Sequence, residues 1–425
     1  MPESIRTILK KTNNIERSAY IWNAVNAIMS ALESPVLLMV IMRTTGLKDA
    51  GIFSIAFAVA ALLLYLGQYG FRRYQSSDVN EKYSFAEYYG SRIITCVAMF
   101  VAALAYCIYG SVFRGYSATK FAVVFLICAL KGIQAFSDVL HGRMQQMGRL
   151  DVATKSSCIR YILEMLSFAL VLVIADNLLL ACIICFIVSL TEFFLTSYNV
   201  ASDFCTLKPS YNKEKMKQML IEGFPLFVSL FLNMYISNAP KYAIDAYLTE
   251  ELQALYNMVF MPAFVIQLVA HFIFNPIITT YAEVWNNGNV KRFRKLVLRQ
   301  CTIILGLTIL AVAVALTIGI PVLGIIFNAD LTAYKTELCI VCIGGGFLAY
   351  SVFFNTIITI IRMHKTLLYS YGVAALAALL LSKSFVINNG IMGAVLLYAV
   401  IIAALAIVLA LITFIKIEKE LRRTK

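Results

Sequence analysis

Apolar positions in this chain come in long unbroken runs, without the strict alternation of a half-buried strand, and each run gives way to a short polar stretch carrying basic residues. The ending at residues 67–78, GQYGFRRYQSSD, is typical: an apolar segment stops at Arg72 and Arg73 and passes through glutamine and serines to Asp78. A hydrocarbon layer about 30 Å thick needs roughly 20 mainly apolar residues per helical crossing. Twelve segments reach that length, at about 19–42, 49–71, 91–113, 120–142, 157–176, 177–200, 221–246, 252–284, 296–326, 336–361, 366–386 and 390–416. The pattern predicts an all-α integral membrane protein with about 12 transmembrane helices. Pro276 and Pro321, late in the two longest segments, predict a bend or stop followed by an interfacial stretch.

The longest polar interruption, within 201–220, divides these helices six and six. It predicts an N-terminal six-helix lobe over 1–200, a cytoplasmic linker with an amphipathic lead-in over 201–220, and a C-terminal six-helix lobe over 221–425. A short self-similarity sets Ala50, Gly51, Ile52, Phe53 and Ser54, at the start of the second span, against Gln253, Ala254, Leu255, Tyr256 and Asn257 at the start of the eighth. Parallel repeats of this kind are a transporter design. The loops expected outside are short, leaving no room for an external catalytic domain.

Composition agrees: of 425 residues, 61% are hydrophobic and 14% charged, too apolar for one soluble core. The net charge of +13 would suit nucleic acid were it not one-sided. Arg6, Lys10, Lys11 and Arg17, then Arg72, Arg73, Lys82 and Arg92, then Arg143, Arg149, Lys155 and Arg160, fall on the side of the N-terminus, as do Lys291–Lys295 and the basic C-terminus. The positive-inside rule puts both termini in the cytoplasm, and no nucleic-acid partner is expected. The first span carries Asn23, Asn26, Ser30 and Glu33, too long and polar for a cleaved signal peptide. The cysteines, mostly within spans, read as packing residues.

Polar residues inside spans are costly unless they face protein or water. Here they fall in stripes at helical steps of three and four: Asn23, Asn26, Ser30, Glu33; Lys131, Gln134, Asp138, His141; Ser229, Asn233, Ser237, Lys241, Asp245; and Gln267, His271, Asn275, Thr279. Lys131 lies near the middle of its span. It either faces a hydrated cavity or forms a buried pair with Glu33, Glu164 or Glu192. The cations Lys131, Lys241 and Arg160 suit an anionic ligand such as phosphate. The carboxylates Glu33, Asp138, Glu164, Glu192 and Asp245 permit proton or sodium coupling. Arg72 and Arg73 are either headgroup anchors or a gate latch pairing with Asp78 or a carboxylate of the second lobe. There is no phosphate-binding glycine loop with lysine, and His141, His271 and His364 are far apart, so no enzyme, metal site or resident cofactor is expected. Gly344, Gly345 and Gly346 read as a close helix contact.

Gly67, Gln68, Tyr69, Gly70, Arg72, Gln75 and Asp78, followed by Gly142, Gln145, Gly148, Arg149, Asp151 and Arg160, resemble the polysaccharide flippases of the multidrug/oligosaccharidyl-lipid/polysaccharide exporter superfamily. Pro225 opening the seventh span, and Gly319, Pro321, Leu323, Phe327, Asp330 and Leu331 closing the ninth, fit the same pattern, with Asn328 where glycine is expected. The lipid II branch has two further helices, so the capsule and O-antigen type is the nearer likeness. The resemblance implies two six-helix lobes around a central cavity in a bacterial inner-membrane protein. It implies alternating access carrying a polyprenyl-diphosphate-linked oligosaccharide to the outer leaflet. Lys131, Lys241 and Arg160 would then meet the pyrophosphate, and asparagines, glutamines and tyrosines the sugars, with Asn23, Asn26, Asn233, Gln134, Gln267 and His271 in the cavity. Membrane lipids, and a polysaccharide polymerase machinery, are the implied partners of a monomer. The rival readings are a cation-coupled multidrug exporter of the same superfamily, and a non-transport subunit of a polysaccharide-assembly complex.

Overall fold

Polar side chains start the helices where the apolar runs begin. Asn14, Ser117, Asn177 and Asn289 each accept a hydrogen bond from a backbone N–H three residues on, and Ser84 with Glu87 forms a reciprocal capping box. The structure, a computed structural model, describes residues 2–78, 81–274 and 278–423, and among these there is no strand. The helices are α1 (Pro2–Lys10), α2 (Ile15–Arg43), α3 (Leu47–Gln68), α4 (Phe71–Ser77), α5 (Phe85–Phe113), α6 (Ala118–Gln146), α7 (Leu150–Ala175) and α8 (Leu178–Ala201). They continue as α9 (Lys213–Tyr247), α10 (Glu250–Phe274), α11 (Ile278–Asn286), α12 (Val290–Phe327), α13 (Lys335–Ile360) and α14 (His364–Arg423).

Ten of these, among the described residues, are long and apolar enough to span a membrane. The 60-residue α14 is two of the expected spans joined at Gly390, whose φ of 56° and ψ of −131° no helix contains. α10 lies within the expected eighth span, whose residues 275–277 are outside the described residues. Pro276 lies outside the described residues. At Pro321 the chain neither stops nor leaves the helix: a π turn over Ala315–Gly319 precedes it. The wider turn accommodates a residue without an N–H. Pro225, expected to open the seventh span, sits twelve residues inside α9, which begins at Lys213.

The chain forms two compact units, Met1–Phe231 and Leu232–Lys425, dividing within α9. In the first, α3 and α6 are the inner helices, and α3 and α4 meet at a corner of two residues. Tyr69 and Gly70 are both left-handed, with φ of 52° and 70°. Two such residues in succession end α3 and start α4 without a longer loop, and glycine takes the second at no steric cost. In the second unit the three glycines of α13 each meet a different helix. A Cβ on Gly344 would lie 2.5 Å from Tyr398 Cε1 of α14, one on Gly345 would lie 3.2 Å from Ala263 Cα of α10, and one on Gly346 would strike Thr308 of α12. Three successive positions, about 100° apart, thus seat three neighbours. Gly344→Ala should lower stability by about 1–3 kcal/mol, because the buried Tyr398 has nowhere to go. Gly306→Ala, with open space around the new methyl group, should be neutral or slightly stabilising. Melting temperatures in detergent distinguish the two.

Candidate functional site

The polar stripe of α6 faces the interior of the first unit, and each member finds a partner there. Lys131 Nζ donates to both carboxylate oxygens of Glu33, on α2, at 2.7 and 2.6 Å. Both side chains are only 8% exposed. The ammonium also lies 4.7 Å from the ring centroid of Phe57 on α3. Of the two sequence readings of Lys131, the structure shows the buried pair. At so low an exposure a lone ammonium would be costly, and Glu33 sits where it cancels that cost. One turn on, Gln134 Nε2 donates to the Tyr161 hydroxyl at 3.3 Å.

Arg160 and Glu164, one turn apart on α7, are both buried, with Nε and Oε1 at 3.7 Å. The Glu164 carboxylate accepts from Ser189 on α8 at 2.5 Å. Arg160 Nε has no hydrogen-bond partner among the described residues, and the guanidinium stacks 5.0 Å from the Tyr161 centroid. Glu192 accepts from Thr196. From Thr196 the hydrogen bonds run on through Ser156 (2.8 Å) and Ser197 (2.9 Å) to His141 Nε2 (3.1 Å). The turn of α8 from Phe194 to Tyr198 is a π turn, and its Thr196 and Ser197 are both buried. Glu33, Lys131, Arg160, Glu164 and Glu192 therefore set two cations beside three carboxylates within the first unit.

A second cluster lies at the α3–α4 corner. Asp138, the third member of the α6 stripe, accepts from Arg92 Nη2 at 2.9 Å and from Arg72 Nη1 at 3.3 Å. Arg92 is fully buried, and its other amino group and Thr95 both donate to the Gly67 carbonyl at 2.7 Å. Arg72 also donates to Gln145 at 3.2 Å. The expected latch between Arg72 and Asp78 is not what forms. Asp78 accepts from the backbone N–H groups of Lys82 (2.8 Å) and Tyr83 (3.1 Å) and from the Tyr88 hydroxyl (3.3 Å), so its lone pairs are taken up by these three residues. Arg73 is exposed. In that loop Lys82 donates to Glu222 at 2.7 Å, and this hydrogen bond holds its ammonium above the ordinary lysine value. Arg92 is the residue that sequence reasoning missed, having counted it among the cytoplasmic flanking cations. Its position a full two turns inside α5, next to small residues, was the available signal.

A third cluster pins α1. Arg149 bridges the carboxylate of Asp151 (2.9 Å) and the Lys10 carbonyl (2.8 Å), and Lys155 donates to the carbonyls of Leu9 and Lys11 at 3.1 and 3.3 Å. Arg6 and Lys10 pair with Asp203. Cations on the last carbonyls of a helix satisfy its orphan acceptors and complement its dipole.

The remaining candidates are scattered. Asn23 is exposed, and Asn26 is half-buried with an Oδ1 that lacks a hydrogen-bond partner among the described residues. In the second unit Lys241 is buried with its ammonium 5.3 Å from the Phe260 centroid, while Asn233 and Asp245 are half-buried. The side chains of Gln267 and His271 lie outside the described residues. Not foreseen were Gln253, Tyr256 and Asn257 on α10 and Tyr398 on α14, all buried with polar atoms lacking partners among the described residues. Gln253, Tyr256 and Asn257 occupy the segment of the proposed repeat, as do the buried Ala50, Phe53 and Ser54 of α3.

A comparison with curated proteins gives no match. Among solved structures, the inward-facing form of a multidrug resistance MATE family transporter of the MOP superfamily is 14% identical, with 96% of this chain and 100% of that one covered, at a TM-score of 0.69. A MOP superfamily transporter from Pyrococcus furiosus is 14% identical over 98% of each chain, at 0.58. A Vibrio cholerae MATE transporter in its bent form is 13% identical over 99% and 98%, at 0.59. Identities this low establish the fold, which is that of transporters. The family model described as "Polysaccharide biosynthesis protein" matches residues 19–281, more than half of the chain. This multi-pass membrane protein, built on the fold of MOP-superfamily transporters, belongs to the polysaccharide biosynthesis protein family.

Proposed function

We propose that the chain is a flippase moving a polyprenyl-diphosphate-linked oligosaccharide, the precursor of a cell-surface polysaccharide, from the cytoplasmic to the outer leaflet of a bacterial cytoplasmic membrane by alternating access. The observation that carries this reading is the family itself: a polysaccharide-biosynthesis chain on a transporter fold has a substrate whose glycan must cross hydrocarbon. The one-sided distribution of Lys and Arg supports cytoplasmic termini. Lys241, Arg160 and the amides Asn23, Asn26 and Asn233 are the proposed contacts to diphosphate and sugars, with Gln134, Gln267 and His271 on the same stripes. Lys131 serves through its pair with Glu33. Among Lys131, Arg160, Glu33, Glu164 and Glu192 alone, two cations stand against three carboxylates, which leaves a place for one proton or monovalent cation and supports ion coupling through Glu33, Glu164 or Glu192. The potential also helps: carrying two negative charges outward gains about 4.6 kcal/mol at 100 mV, inside negative, from ~2.3 per charge.

Translocation of a fluorescent polyprenyl-diphosphate oligosaccharide in proteoliposomes, scored by a glycan-modifying enzyme added outside, tests the proposal. Protein-dependent accessibility is expected, reduced at least tenfold in Lys241→Ala that has inserted normally. Efflux of cationic dyes without movement of any glycan donor would replace this reading by a drug exporter. Movement of neither would favour an assembly subunit.

A further inference from the structure

The α9 lead-in carries three lysines within two turns, and they do different things. Lys215 reaches Glu87 of α5 at 2.9 Å. Lys213 and Lys217, one turn apart on the same side of the helix, have no ion-pair partner among the described residues. Both line an apolar cavity of about 620 Å³, the size range of a small-molecule site. Tyr69, Met216 and Leu220 line it along with the exposed side chains of Ile94 and Phe224. Tyr69 is anchored from behind, its ring stacked on Phe227 at 4.5 Å and its hydroxyl donating to the Leu220 carbonyl at 3.3 Å.

Two unmatched cations beside an apolar cavity, on a membrane helix, complement one kind of molecule: an anionic head carrying a hydrocarbon chain. We propose that this groove is a binding site for an anionic phospholipid, with the phosphate between Lys213 and Lys217 and an acyl chain against Tyr69, Met216 and Leu220. Its assignment to the cytoplasmic leaflet rests on the orientation proposed above; the binding itself does not depend on transport. Because Tyr69 is one of the two left-handed residues of the α3–α4 corner, the bound chain braces that corner against the α9 lead-in. The lipid is thus a structural ligand of the first unit.

A tryptophan reporter tests this. In the full chain with Trp22→Phe and Trp285→Phe, Phe224→Trp places the sole indole at the exposed wall of the groove. In phosphatidylcholine vesicles doped with brominated phosphatidylglycerol, quenching should exceed that by brominated phosphatidylcholine at equal mole fraction. Each lysine near the surface is worth about fivefold in affinity for anionic lipid, so Lys213→Gln with Lys217→Gln should lower the preference roughly thirtyfold. Both residues are exposed, so the pair of substitutions should leave the melting temperature unchanged. Ile94→Phe, which fills the cavity, should lower quenching by both lipids. Equal quenching by the two lipids, or a preference that survives the double lysine substitution, overturns the proposal. So would preferential displacement of phosphatidylglycerol by a polyprenyl phosphate, which would assign the groove to the transported lipid. Native mass spectrometry of the unsubstituted protein gives a readout free of the reporter: retained phosphatidylglycerol should be lost with the two lysines.

Discussion

Lys131→Ala should destabilise the protein by about 3–5 kcal/mol, and Lys131→Met combined with Glu33→Leu should recover most of that loss. The alanine strands the Glu33 carboxylate, 8% exposed, with its hydrogen-bond donor removed, and breaking one side of a buried pair costs more than replacing both sides with apolar groups. A double-mutant cycle read by thermal unfolding in detergent gives the coupling energy directly. Additive effects of the two single substitutions would mean that the pair contributes no coupling. The same series separates stability from transport. A Met/Leu variant that is stable yet inactive would assign the charges to the transport cycle, whereas a stable and active one would leave them a purely architectural role.

Asp138→Ala should be as damaging, again about 3–5 kcal/mol, and its two arginine partners should not be equivalent. Arg92 is fully buried and is left with a guanidinium facing no counter-charge, whereas the Arg72 side chain is 32% exposed and can turn to water. Arg72→Ala should therefore cost about 1 kcal/mol or less. Arg92→Met should cost about 2–3 kcal/mol, because it also frees the Gly67 carbonyl that Arg92 shares with Thr95. The order Asp138, Arg92, Arg72 in melting temperature is the test. A larger effect at Arg72 would mean that the corner is held from its exposed side.

How much of this was legible in the sequence follows from which interactions are local. Span positions are set by runs of apolar residues, so the hydropathy pattern finds them even where two helices fuse, as at Gly390. The α6 stripe was legible for the same reason: steps of three and four keep Lys131, Gln134, Asp138 and His141 on one face whatever packs against it. What stands opposite that face is a tertiary fact. Glu33 lies 98 residues from Lys131, and three carboxylates were equally eligible from sequence. For Arg72 the sequence offered a headgroup anchor or a latch to Asp78 or a carboxylate of the second lobe, yet it reaches Asp138, 66 residues on. Asp78 was already engaged by backbone N–H groups that only the folded loop presents. Pro225 looked like a helix opener because the apolar run begins nearby. The polar turns from Lys213 onward extend the helix backwards past it, and their lysines and glutamates do not register as a span.

The fastening of α1 constrains the order in which the protein can be built. The polar groups described above as holding this helix, Arg149, Lys155 and Asp203, come later in the chain. During synthesis the first ten residues have nothing to dock on until α6 and the start of α7 have left the ribosome, and the last anchor arrives only after α8. α1 is thus made before these anchors and is secured only once they arrive. Until then a basic amphipathic helix is free at the membrane surface, where anionic headgroups can hold it in waiting.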